Sequence, residues 1–185
     1  MNKIKRILDR NKRKKWGILG FVSYFVCLQS CYQEPEFSLV PEITYRSIEK
    51  EIRVDQFTGA NKDSVIITLD FRDGDGDLGL NETEKAAAEL RGDYNYVVRV
   101  FRKRRGVFQE FSPGIPYSGY FPQLRTDGRL GPIEGVLSYS IDFPHPFTPR
   151  RDSLKFEIYI KDLAGNVSNT VETDVIVLND LVIAN

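Results

Sequence analysis

The chain has 185 residues, 28% charged and 41% hydrophobic, a globular composition that excludes both a wholly disordered chain and a polytopic membrane protein. Its formal charge is zero, yet the first 30 residues hold eight basic side chains against one acid, leaving 18 basic and 25 acidic groups in the remaining 155. A body that acidic lacks the basic footprint that nucleic-acid phosphates require.

Residues 1–15 are rich in lysine and arginine, and residues 16–28 (WGILGFVSYFVCL) form an apolar run of 13. As a helix such a run rises about 20 Å, short of the roughly 20 residues needed to span a bilayer. A charged segment followed by a short apolar one predicts a helical secretory signal over residues 1–30. The residues that close it, Leu28-Gln29-Ser30-Cys31, resemble the lipobox of bacterial lipoproteins. That resemblance implies cleavage before Cys31, lipidation of its thiol and acylation of its new amine. Three acyl chains exceed the two signals that stable anchoring takes. The only other cysteine, Cys27, lies within the signal, so the mature chain has no disulfide to form.

Residues 31–41 read as the lipidated cysteine and a tether, with Pro35 and Pro41 and no periodic pattern. Glu34 and Glu36 in this stretch resemble the acidic surface-export signals of Bacteroidota lipoproteins. The implied address is the outer membrane, with the periplasmic and surface faces both open.

Residues 42–185 form the expected domain. Leu154, Phe156, Ile158 and Ile160 alternate with mostly charged neighbours, and Val65, Ile67, Leu69 and Phe71 repeat the pattern, as strands with one wet face do. Further strands are predicted over 43–54, 94–102, 107–111, 136–143 and 170–178, with turns at Lys62-Asp63, Gly106, Pro113-Gly114, 143–149 and Ala164-Gly165-Asn166. One short helix is expected over Glu82 to Arg91, stopped by Gly92. Seven such strands, A, B, C, C′, E, F and G in order, predict an all-β, antiparallel sandwich with the helix in the B-to-C loop; a closed barrel is the competing architecture. The stretch Asp162-Leu163-Ala164-Gly165-Asn166 between the last two strands resembles the F-to-G hairpin of bacterial Ig-like and fibronectin-III-like repeats.

The sharpest chemical motif is residues 70–84, DFRDGDGDLGLNETE. Aspartates alternating with glycines let a short backbone curl and aim hard oxygens at one centre, as Ca²⁺ requires. Counted from Asp73, Asp75 and Asp77 fall at the third and fifth positions and Glu84 at the twelfth, as in an EF-hand; Leu78 replaces the sixth-position glycine and a strand precedes the loop. The motif therefore reads as a Ca²⁺ loop in a β context, with Asp70, Asp73, Asp75, Asp77 and Glu84 as ligands. In a sandwich the B-to-C and F-to-G loops share one end, which would add Asp162 and Asn166. At the other end Lys103, Arg104 and Arg105 would approach Arg150 and Arg151, a basic patch suited to lipopolysaccharide phosphates or an acidic protein.

Catalytic constellations are not legible. The single histidine, His145, sits between Pro144 and Pro146, and no cysteine remains for nucleophilic chemistry. The sequence points to a non-catalytic binding or structural module of an envelope assembly. Two alternatives have distinct signatures: a glycan binder would expose Tyr117, Tyr120 or Phe121, and a small hydrolase would set two facing carboxylates in a pocket away from the glycine loop.

Overall fold

The computed structural model describes residues 35–180; the signal segment and Cys31 lie outside them. Strands β1 (Glu42–Val54), β2 (Asn61–Asp73) and β5 (Ile133–Pro144) form one antiparallel sheet in the order β1-β2-β5. The second antiparallel sheet contains β3 (Tyr96–Arg104), β4 (Val107–Phe111), β6 (Asp152–Ile160), β7 (Val171–Glu172) and β8 (Ile176–Leu178). There β4 flanks β3, β3 pairs with β6, and β7 and β8 both pair with the far edge of β6.

The alternation read from the sequence becomes the core. In β2 Val65, Ile67 and Leu69 are fully buried, and in β6 Leu154, Phe156, Ile158 and Ile160 are as well; residues of both sheets belong to one apolar cluster. Each such side chain contributes about 1.5–3 kcal/mol on leaving water. Aromatic pairs join the sheets directly, Tyr139 of β5 stacking on Tyr96 of β3 at 4.2 Å and Phe143 meeting Phe156 at 6.3 Å.

The predicted helix occupies Glu82–Arg91, here α1. Asn81 accepts from the Thr83 and Glu84 N–H groups while Glu84 reaches back to the Asn81 N–H at 2.9 Å, and Gly92 closes the last turn in the left-handed region at φ 66°. This reciprocal cap satisfies donors that a helix start leaves unpaired.

Two expectations need correction. The strand predicted over 170–178 is two strands, making eight among the described residues. Its pairing with β6 slips by one residue between Glu157–Glu172 and Leu154–Ile176, and Thr173 fills the break. Its hydroxyl accepts the Phe156 N–H at 3.1 Å and donates to the Asp174 carbonyl at 2.8 Å. Lys62-Asp63 is also not a turn. Both residues belong to β2, because the fully buried Asp63 carboxylate meets His145 Nε2 at 3.0 Å and accepts the Asn179 N–H at 2.6 Å.

Register fixes what meets at each end. Glu42 pairs with Arg72, Asp73 with Ile133 and Tyr96 with Ile160, so the start of β1 and the ends of β2 and β6 are each assigned a neighbour, and a bridge between Leu78 and Asp162 joins the two sheets there. If Thr173 closes the slip in β6, Thr173→Val leaves the Phe156 N–H buried without an acceptor and costs about 1–3 kcal/mol. The urea midpoint should fall with an unchanged slope, while Thr173→Ser stays near wild type; equal midpoints for valine and wild type would contradict the assignment.

Candidate metal centre

Strand β2 ends in Asp73, and glycines turn the chain at once. Gly76 has φ 76°, and a Cβ on Gly79 would stand 2.1 Å from the Pro122 carbonyl oxygen, so the loop follows a path that side chains at these points would block. The loop is stitched on both flanks. The Gly131 N–H donates to the Asp75 carbonyl at 3.0 Å, and the Leu80 and Leu124 N–H groups bond to the Phe121 and Leu78 carbonyls. On the other flank the Ala164 N–H donates to Asp77 Oδ2 at 3.0 Å and the Leu163 N–H to the Asp77 carbonyl at 3.3 Å.

These bonds bring three acids together. One carboxylate oxygen from each of Asp73, Asp77 and Asp162 lies within 4.8 Å of the other two. Asp73 is fully buried; its Oδ2 accepts the Gly76 N–H at 2.8 Å, while its Oδ1 has no hydrogen-bond partner. Asp75 Oδ1 and Asp77 Oδ1 are likewise buried without partners. Asp162 is held by Asn166, whose backbone and side-chain N–H groups donate to its two oxygens at 2.6 and 2.7 Å. Neighbouring cations are committed elsewhere: Arg125 donates to the Gly131 and Pro132 carbonyls, and Lys161 pairs with Asp93 at 2.7 Å.

The electrostatic consequence is a strained acid cluster. Burial, then the charges of Asp75 and Asp77, push Asp73 up to about 6 against the pull of the Gly76 N–H. Burial, then Asp162 and Asp75, push Asp77 up to about 6. An all-oxygen set with unpartnered buried atoms suits the class of hard cations, which take carboxylates and carbonyls and need no nitrogen or sulfur.

Other predicted ligands go elsewhere. Asp70 lies on the wet face of β2, where Arg46 pairs with it at 2.5 Å. Leu69 and Phe71 point inward, so Asp70 must point out, and the period of two already contained that answer. Glu84 caps α1, and the Asn-x-x-Glu spacing ahead of an alanine run was the signal for it. Asn166 sits at the cluster as the group that orients Asp162.

The antiparallel pairing of β3 with β6 sets Arg102 opposite Leu154, so the turn carrying Lys103, Arg104 and Arg105 adjoins the approach of Arg150 and Arg151 to β6. Arg102 itself pairs with Asp152 at 2.9 Å and stacks over Phe111 at 3.8 Å. The aromatic set is redistributed. Phe121 is 3% exposed, its backbone clasped by the Asn95 side chain, so it belongs to the core and not to a partner surface. Tyr117 packs edge-on against Phe143 at 4.9 Å and covers the core beneath the long segment after β4, while Tyr120 lies tilted against Tyr94 at 5.2 Å, half-buried.

A cleft of about 720 Å³, unforeseen from sequence, is lined by Phe111, Tyr117, Tyr139 and Phe147 among others. Its one lining carboxylate, Asp142, pairs with Lys62 at 2.7 Å, so the facing pair that glycoside hydrolysis uses is not presented there. Among the described residues no helix is long and apolar enough to cross a membrane.

A carboxyl near 3.8 when unfolded and about 6 when folded favours folding fully below the lower value and loses that contribution as pH rises through the higher one. In chelator, an Asp73→Asn/Asp77→Asn double variant should therefore match wild type at about pH 4 and melt above it at about pH 7. A variant less stable than wild type at the higher pH, still in chelator, would show that the two carboxylates carry no such penalty. No protein-family model matches the chain, and searches of curated proteins and of solved structures found no similar protein.

Proposed function

We propose that the chain is an envelope lipoprotein anchored to the outer membrane through Cys31, whose Ig-like β-sandwich is a non-catalytic binding or structural module stiffened at one end by Ca²⁺. The observation that carries the reading is the fully buried Asp73 carboxylate, whose Oδ1 has no partner, beside Asp77 and Asp162. Leaving a charged group unpaired in the interior is strongly unfavourable, and a divalent cation supplies the missing charge. Ca²⁺ is the member of the hard-cation class proposed here, because it accepts six to eight oxygens in irregular geometry and the carboxylates gather from a loop and a separate hairpin.

The sheet order supports the Ig-like assignment: strands A, B and E pair on one side, and C′, C, F and the divided G on the other. The envelope address rests on Leu28-Gln29-Ser30-Cys31 and the charged segment before it. Partners are then membrane lipid through the anchor and an envelope protein, with the basic turn at Lys103, Arg104 and Arg105 as the contact surface. A second reading, glycan capture, draws on the aromatic cleft, where Phe147 is 87% exposed and offers a ring for stacking.

Full-length protein in detergent, melted in a hundredfold excess of Ca²⁺ over its dissociation constant, should gain about 2.7 kcal/mol over the same protein in chelator. The gain should vanish in Asp73→Asn/Asp75→Asn/Asp77→Asn, and an unchanged melting temperature at millimolar Ca²⁺ would overturn the ion site. In cells fed labelled palmitate, the wild-type protein should carry the label and Cys31→Ser should not; an unlabelled wild-type protein would refute the lipid anchor.

A further inference from the structure

Residues 36–40 precede the first strand without regular structure, and all except Phe37 are exposed. Leu39 is 61% exposed and Val40 45%, so apolar burial does not hold this segment down. What it touches is the acidic loop. A Cβ placed on Gly74 would stand 2.6 Å from the Phe37 carbonyl oxygen and 2.7 Å from that of Ser38, so the backbone between Asp73 and Asp75 lies directly against the backbone of the tether. Asn166, which grips both oxygens of Asp162, also extends its side-chain amide toward the Leu39 carbonyl at 3.5 Å. Arg72, the residue before Asp73, lies over the Phe37 ring at 5.8 Å.

From this juxtaposition we infer that the cation centre is a clasp: a divalent cation held by Asp73, Asp77 and Asp162 fixes the loop and the Asp162–Asn166 hairpin in the one arrangement that docks residues 36–40 onto the domain. The inference rests on the proposed cation site and extends it to what the ion controls. The site offers more than acidity, because Asp73 is fully buried, one of its oxygens has no partner, and its carboxylate lies within 4.8 Å of those of Asp77 and Asp162. With the ion present, repulsion among the acids is neutralised and Gly74 and Asn166 stay where the tether carbonyls meet them. Without it the acids part, the loop and hairpin separate, and the exposed segment loses its contacts.

Two readouts on full-length protein in detergent, each with Ca²⁺ or with chelator, test the clasp: chymotryptic cleavage after Phe37 and Leu39 reports the docked segment, and amide hydrogen exchange at residues 162–166 reports the hairpin. At a hundredfold excess of Ca²⁺ over its dissociation constant, complete coupling would slow cleavage in residues 36–40 by about a hundredfold, and slowing by at least about tenfold is expected. Asp162→Asn should abolish the slowing. Gly74→Ala, which drives a methyl into the Phe37 carbonyl, should leave Ca²⁺ protection of residues 162–166 while residues 36–40 are cleaved as fast as in chelator. Protection of 162–166 by Ca²⁺ with unchanged cleavage at 36–40 in wild type would overturn the clasp and leave the ion site standing; no Ca²⁺ effect at either segment would overturn both.

Discussion

Strands β2 and β6 are the middle strands of their sheets, and the contact between their inward side chains across one core is what the rest of the molecule hangs on. Each is paired along both edges, so its backbone groups are satisfied and only the alternation of side chains decides which way it faces. Fully buried Val65, Ile67 and Leu69 in one strand and Phe156, Ile158 and Ile160 in the other leave no freedom of register. Once that is fixed, so is the place where each strand runs out. Asp73 is the last residue of β2, and Asp162 lies two residues beyond β6.

The acidic end is thus a product of the core and not of a separate folding event. Bringing Asp162 to the Asp73 loop costs electrostatic energy, because the groups are buried, carry one sign and are partly unpartnered. The fold tolerates this where a backbone N–H reaches a carboxylate, as Gly76 does for Asp73 and Ala164 for Asp77. The opposite end shows the contrasting solution. There the buried Asp63 has both oxygens bonded, one to His145 and one to the Asn179 backbone, and Asn179 in turn donates to the His145 and Thr148 carbonyls. One buried acid is satisfied by protein alone and the other is not, and the proposed cation site rests on that difference.

Period-two alternation made β2 and β6 legible, and an alanine-rich run ending in glycine made α1 legible, because both signals are local. The approach of the hairpin after β6 to the loop after β2 was legible only through topology. What failed was counting along a motif. Glu84 falls at the twelfth position of an EF-hand register, but the nearer demand of a helix start claims it. Asp70 opens the motif in sequence, but its neighbours Leu69 and Phe71 place it on the wet face, where it pairs with Arg46. Phe121 and the cleft were unreadable for another reason: both depend on how the segment after β4 folds back on Tyr96 and Asn95, contacts made between residues more than 20 positions apart that no local pattern encodes.

The most direct test of the cation centre is a crystal structure of the protein grown in millimolar Ca²⁺, with the ion located by anomalous scattering. One ion should lie among Asp73, Asp77 and Asp162, with carboxylate oxygens at about 2.3–2.6 Å and Asp73 Oδ1 among them. The three carboxylates found bonded only to water or protein, with no ion between them at that concentration, would contradict the account.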